Sequence, residues 1–248
     1  MTGVLIVTGG GRGIGAATAR LAAARGYAVC LGYATRRDEA DCVVQDIVEG
    51  GGKAAAVPGD VAAEADVIRL FDAAEARFGP VTALVNNAGI TGPFVRVEDL
   101  ESDTLRRVVE VNVYGTILAS REAVRRMSTE RGGTGGAIVN VSSGAATLGS
   151  PGEYVHYAAT KAAVDTFTLG LAREVAREGI RVNAVAPGLV DTELHAAGGR
   201  PDRVAKMAPT LHIGRAAGPE EIAAPILWLL SDDASYTTGA VLRVAGGR

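Results

Sequence analysis

The run Val4-Leu5-Ile6-Val7 passes directly into Thr8-Gly9-Gly10-Gly11-Arg12-Gly13-Ile14-Gly15, and a helical pattern follows over residues 13–25. Glycines in such a turn let the backbone reverse sharply, let an anion approach the amides and let the helix pack closely on the strand. The helix N-terminus then offers unpaired N–H groups and the positive end of a dipole, which suits a pyrophosphate. The spacing G-x-G-x-x-G/A has to be forced onto Gly11, Gly13 and Ala16, whereas T-G-x-x-x-G-x-G falls naturally on Thr8, Gly9, Gly13 and Gly15. A glycine motif alone signals only a tight turn. Its place after a strand and before a helix makes dinucleotide binding the stronger reading.

The same alternation continues along the chain. Val4–Val7, Ala28–Tyr33, Lys53–Pro58, Ala83–Asn86, Ala137–Val141, Arg181–Ala186 and Ala240–Val244 read as strands. Helical patterns lie between them, over 38–49, 64–78, about 100–130, 153–178 and 219–231. Strands alternating with helices imply parallel pairing through right-handed crossovers. The expected fold is α/β: one single-domain Rossmann fold over residues 1–248, a doubly wound parallel sheet of about seven strands with helices on both faces. Residues 188–219 are the longest stretch without strand character, and we expect a mobile flap carrying short helices there.

Composition excludes other classes. With 48% hydrophobic and 21% charged residues the chain can build a sizeable core and does not read as disordered. Aromatics make up only 4%, so that core must be mostly Ala, Val, Leu and Ile. Twenty-five basic against 28 acidic residues give a net charge of −3, and the Arg-Arg pairs at 36–37, 106–107 and 125–126 form no stripe, which argues against nucleic acid. Most of those pairs read as solvated surface. Cys30 and Cys42 have no metal spacing, and His156, His195 and His212 are dispersed, so no metal is expected. The N-terminal apolar run is too short for a leader or a membrane span. Reduced thiols and that short run together suggest a cytoplasmic protein with no membrane partner.

Later motifs extend the pattern. Asn86-Asn87-Ala88-Gly89 closes the fourth strand, Ser143 follows the fifth, Tyr157-Ala158-Ala159-Thr160-Lys161 opens the next helix, and Pro187-Gly188 follows the sixth strand with Thr192 shortly after. In this order and spacing, from residue 3 to about 247, the chain resembles the short-chain dehydrogenase/reductase family, nearest in feel to 3-oxoacyl-(acyl-carrier-protein) reductases and glucose 1-dehydrogenase-like members. The resemblance implies a catalytic set of Asn112, Ser143, Tyr157 and Lys161. It implies cofactor contacts from Thr8, Gly9, Gly11, Arg12, Gly13, Ile14 and Gly15, from Tyr33, Arg36 and Arg37, and from Asp60 and Val61. Asn87, Ala88, Gly89, Tyr157, Lys161, Pro187, Gly188, Val190 and Thr192 complete that cofactor set. One departure stands out: Ser143 and Tyr157 are fourteen apart where the family usually has thirteen. The extra residue is expected in the 149–154 loop.

Tyr157 and Lys161 are four apart and share a helix face. Lysine is scarce, with Lys53, Lys161 and Lys206 the only three among the 25 basic residues, which makes this one more telling. A free tyrosine titrates near 10, so acid–base work near neutrality needs a shift of roughly three units, about 4 kcal/mol in favour of the phenolate. A nearby ammonium acts in that direction, and oxidised nicotinamide adds positive charge. Tyr157 is therefore expected to protonate a carbonyl oxygen as hydride arrives, or to deprotonate the alcohol in reverse. Ser143 would orient that oxygen, and Asn112, by the resemblance, would position a water linking Lys161 to solvent.

Strand two ends in Tyr33, not in the carboxylate that binds an NAD ribose, and Arg36-Arg37 follow. NADP is the expected cofactor, with NAD as the alternative, and Arg12 and Arg37 are the first candidates for its 2′-phosphate. A small carbonyl or alcohol substrate would meet Ser143, Ala145, Tyr154, Tyr157, Leu189 and His195. Tyr154 faces either the site or the helix packing, His156 reads as structural, and Arg200, Arg203 and Lys206 are candidates to meet an anionic substrate, with solvation the default. A homotetramer is expected by the resemblance. A non-catalytic NAD(P)-binding redox sensor or partner-binding protein is the alternative function. Epimerase or dehydratase chemistry is a third, against which the length argues.

Overall fold

The structure, a computed structural model, describes residues 3–248. Seven strands, β1 (Val4–Thr8), β2 (Ala28–Tyr33), β3 (Lys53–Pro58), β4 (Val81–Asn86), β5 (Gly136–Val141), β6 (Ile180–Pro187) and β7 (Val241–Val244), form one sheet in the order β3-β2-β1-β4-β5-β6-β7. Every neighbouring pair is parallel. The sheet is buried on both faces, which is why β1 reads as a continuous apolar run with all five residues inside. Leu5 and Val7 pack with α1 (Gly13–Ala24), α2 (Arg37–Glu49) and α10 (Pro219–Leu230). Val4 and Ile6 point the other way, toward α3 (Glu64–Phe78), α5 (Gly115–Met127) and α7 (Val155–Val175). The scarcity of aromatics has its counterpart in α1, whose Ala16, Ala19 and Ala22 are buried against the sheet and allow a close approach.

Several polar groups inside this core pair with one another. Asn86 Nδ2 donates to Ser120 Oγ and to Asn140 Oδ1, both at 2.9 Å, and Asn140 Nδ2 donates to Thr168 Oγ1 at 2.8 Å. These bonds cross-link β4, β5, α5 and α7 directly beneath the strand ends. Arg181 of β6 donates to the carbonyls of Leu229, Leu230 and Ser231 and so satisfies the C-terminal end of α10.

Most expected elements occur within two residues of their expected ends. The exception is the helix expected over 100–130. It is α4 (Ser102–Val109), a π turn over Glu110–Tyr114 and then α5, with a 3₁₀ turn at Thr129–Arg131. One additional residue in a turn leaves the apolar period almost unchanged, so periodicity does not register it, and π turns gather at functional positions. This one carries the buried Asn112. Residues 149–154 follow α6 (Ala145–Leu148), and Ser150 there sits at φ 47°. The excursion after β6 carries α8 (Leu194–Ala197) and α9 (Arg203–Met207). It leaves and returns at one place, where Val190 bridges Ala217.

Candidate active site

Crossovers from β1 and β4 run to opposite faces of the sheet, which opens a crevice beyond their carboxyl ends. A cavity of about 390 Å³ fills it, lined by the glycine turn, the ends of β2 to β5 and the excursion after β6. The turn is built for close approach. Gly13 holds φ 50°, and a Cβ on Gly15 would fall 2.4 Å from the Gly9 carbonyl and 2.5 Å from Asn87 Nδ2. Thr8 Oγ1 accepts from the N–H groups of Asn87 and Ala88 at 3.0 and 3.1 Å, and Asn87 Nδ2 donates to the carbonyls of Thr8 and Gly9. Thr8 and Gly15 thus act on the backbone of the turn and do not line the cavity. Gly9, Gly11, Arg12, Gly13 and Ile14 do line it, and α1 begins there with no side-chain cap, leaving its first N–H groups for an anion. The cradle fits the pyrophosphate of a dinucleotide.

At the β2 end the lining is Tyr33, Ala34, Thr35, Arg36 and Glu39, with Asp60 and Val61 across from them. The expectation for Arg37 needs correction. Because α2 starts at Arg37, that side chain is carried to the outer face, 77% exposed and 3.3 Å from Asp41, and it does not reach the cavity. Arg36, one residue earlier, faces the cavity and lies 3.4 Å from Glu39. Several lining residues carried no sequence signal, Glu39 and Arg107 among them. Glu39 lies inside α2, and Arg107 of α4, expected to be solvated, reaches Asp60 at 2.7 Å. Only the tertiary fold brings positions 60 and 107 together.

At the other end β5 and α7 deliver the reactive groups. Tyr157 and Lys161 are buried on one face of α7 and line the cavity with Ser143. Ser143 Oγ accepts from the Ala145 N–H at 3.1 Å and shares the cavity wall with the Tyr157 phenol. Lys161 Nζ donates to the Val141 carbonyl at 2.7 Å and lies 5.7 Å from the centre of the Tyr157 ring. Asn112 stands behind this group and does not line the cavity. Its Nδ2 donates to the Ile90 carbonyl and to Thr160 Oγ1, and its Oδ1 accepts from the Ile90 N–H. Asn112 Oδ1 and Lys161 Nζ nevertheless flank the same spot, 3.3 and 3.4 Å from where a Cβ on Gly89 would sit.

Electrostatics correct a second expectation. Burial pushes the Tyr157 phenol up, with the Ser143 hydroxyl acting against it. Burial also pulls Lys161 down to about 8, partly opposed by the Asp165 carboxylate. Desolvation disfavours both charged forms. The ammonium therefore does not by itself bring the phenol toward neutrality, because a residue count along a helix says nothing about how dry the face is.

The remaining expected substrate contacts fall on two connected spaces. Tyr154 and His195 line both the main cavity and a smaller one of about 40 Å³ beside Ser143, where Ala145 and Leu189 also lie. Asn87, Ala88, Gly89, Pro187, Gly188, Val190 and Thr192 all line the main cavity. Tyr154 lines the site and also stacks edge-on against Tyr157 at 5.2 Å. His156 bonds the Thr91 carbonyl at 2.9 Å, away from the reactive groups. Arg203 is a third correction: only 3% exposed, it is the opposite of a solvated cation. Among the described residues no cluster of metal-ligating side chains occurs, and no helix is long and apolar enough to cross a membrane.

A family model described as enoyl-(acyl carrier protein) reductase matches residues 9–248. An uncharacterized oxidoreductase of Escherichia coli (strain K12) is 49% identical over 99% of both chains. A cis-4-hydroxycyclohexanecarboxylate dehydrogenase of Sinomonas cyclohexanicum is 45% identical over 98% of this chain and 95% of its own. Among solved structures, a short chain dehydrogenase from Burkholderia cenocepacia J2315 in complex with NADP superposes with a TM-score of 0.89 at 33% identity, covering 98% of this chain and 96% of that one. With its glycine turn, its Ser143–Tyr157–Lys161 grouping and these full-length matches, the chain belongs to the short-chain dehydrogenase/reductase family of oxidoreductases.

Proposed function

We propose that this protein transfers a hydride between NADP(H) and a small carbonyl or alcohol substrate. The observation that carries the reading is that Ser143, the Tyr157 phenol and Lys161 meet at the wall of the nucleotide cavity, with Tyr157 and Lys161 buried one helical turn apart on α7. A bound nicotinamide supplies or accepts the hydride and, when oxidised, adds positive charge near the phenol. Ser143 orients the substrate oxygen. Tyr157 gives that oxygen a proton in reduction and takes one in oxidation. Lys161, held by Val141, stabilises the phenolate that results, and Asn112 keeps the Ile90 backbone in place beside it.

NADP is favoured over NAD by Arg12 and Arg36 at the adenosine end and by the Tyr33 terminus of β2. The complex of the Burkholderia relative with NADP supports the same choice. The name of the Sinomonas relative places a cyclic hydroxy acid among the substrates worth testing. A cytoplasmic setting suits the free thiols of Cys30 and Cys42. A homotetramer suits the exposed Leu105, Tyr114, Ile117 and Leu169, and a light-scattering mass of a single chain would count against it.

The test is a panel of ketones, cyclic alcohols, sugars and acyl thioesters assayed with NADPH and NADH side by side. Turnover with preference for NADPH supports the reading. Tight nucleotide binding with no turnover across the panel would favour a redox sensor.

A further inference from the structure

Arg203 belongs to the short helix α9, a setting in which an arginine is normally solvated. Its Nη1 and Nη2 instead donate to the two carboxylate oxygens of Glu153, at 2.6 and 2.8 Å, and Nη2 also donates to the Tyr154 hydroxyl at 3.1 Å. The guanidinium lies 4.9 Å from the centre of the Phe94 ring and 5.3 Å from that of Tyr154. Tyr154 stacks edge-on against Phe94 at 4.6 Å and against Tyr157 at 5.2 Å. One side chain of the excursion is thereby linked, through two contacts, to the reactive phenol. Elsewhere the excursion is tied by the Val190–Ala217 bridge at its base, by the Gly198 carbonyl, which accepts from the Phe94 N–H at 3.3 Å, and by the Ile213 N–H, which donates to the Gly246 carbonyl at 3.2 Å. Arg203 also lines the smaller cavity beside Ser143, so it walls the substrate space as well as tying α9 down.

We infer that Arg203 is a positioning residue. Clamped by Glu153, it holds α9 over the site and presses Tyr154 against the Tyr157 ring, and in doing so it sets how bulky a carbonyl substrate the site admits. The inference rests on the oxidoreductase reading for its catalytic part and on geometry alone for the clamp. A bidentate guanidinium–carboxylate pair has a fixed planar geometry, so it transmits position where a single ammonium contact would swivel.

The experiment compares wild type with E153Q, R203Q, the double variant and E153D. Each is assayed with NADPH on a small and on a bulky aromatic ketone, alongside NADPH affinity by fluorescence and hydrogen exchange of the α9 amides. E153Q and R203Q should each raise the bulky-to-small ratio of kcat/KM by about fivefold, with NADPH affinity within about twofold, and the double variant should be no worse than the poorer single one. E153D, which keeps the charge, should restore most of the wild-type ratio. Exchange at residues 203–207 should quicken by about tenfold in E153Q. An unchanged ratio together with a lowered Tm would mean that the pair is structural only, and additive effects would mean that the two residues act separately. Either result overturns the inference, as does unchanged exchange. Absence of wild-type turnover with quickened exchange would contradict the hydride-transfer reading and leave the clamp standing.

Discussion

Lys161 Nζ lies 5.7 Å from the centre of the Tyr157 ring and spends a 2.7 Å hydrogen bond on the carbonyl of Val141, the last residue of the strand that leads to Ser143. Strand and helix are thereby joined at the point where the reactive groups meet. The ammonium is bought into a dry site, and burial draws its titration down to about 8. Above that value the folded protein has lost the proton while the unfolded chain keeps it up to about 10.4. The unfolded state then binds more protons, so the cost of burying Lys161 is full below about 8 and declines as pH rises toward 10.4.

The three lysines make that titration directly observable. With the lysine side chains labelled for NMR, one resonance should titrate near 8 and should vanish in Lys161→Met. Asp165→Asn should move it lower still, because the Asp165 carboxylate now holds it up. A Lys161 resonance that stays protonated to pH 10 contradicts this description.

Cofactor choice should depend on Arg36 and not on Arg37. Arg36→Gln removes the guanidinium that lines the cavity and should weaken NADPH binding by about tenfold, with NADH affected about twofold at most. Arg37→Gln should leave both within about twofold, since its partner is Asp41 on the outer face. Fluorescence titration of the two nucleotides checks this, and the reverse ranking contradicts it.

How far these features could be read in advance depended on how local their causes are. β1 and the turn after it were legible because burial on both faces and a left-handed φ at Gly13 each leave a mark in a few adjacent residues. Tyr157 and Lys161 were legible because one helical turn joins them. Arg36 and Arg37 cannot be ranked from the sequence, because a one-residue difference in where α2 begins decides which side chain faces the crevice. Arg107 and Arg203 carry no local sign of pairing because their partners, Asp60 and Glu153, are 47 and 50 positions away. The dryness around Tyr157 comes from Tyr154 and the surrounding fold, and no spacing rule contains it.

The polar chain beneath the strand ends should matter for stability. Asn140→Ala strips Asn86 Nδ2 and Thr168 Oγ1 of a partner in a buried setting and should cost about 1–3 kcal/mol. Denaturant unfolding measures it, with NADPH affinity unchanged in native buffer. A loss below about 0.5 kcal/mol would show that the chain is not needed to satisfy these groups.

The Glu153 clamp should have a pH signature. The hydrogen bonds from Arg203 hold its carboxyl below the usual glutamate range, against the effect of burial. A lowered folded value means the contribution is fully present above the unfolded value, about 4.3, and is lost as pH falls through the folded one. The Tm difference between wild type and E153Q should therefore be constant from neutrality to about pH 5 and close only at lower pH. A difference that shrinks between pH 7 and 6 would contradict this assignment.

The phenol carries the central claim. Tyr157→Phe keeps the ring stacked against Tyr154 and removes only the hydroxyl, so the nucleotide cavity should be unchanged. On any substrate found with the panel, single-turnover reduction by NADPH should slow by about 10²–10⁴-fold while NADPH affinity stays within about twofold. A rate within about tenfold of wild type would contradict the assignment of Tyr157 as the proton donor.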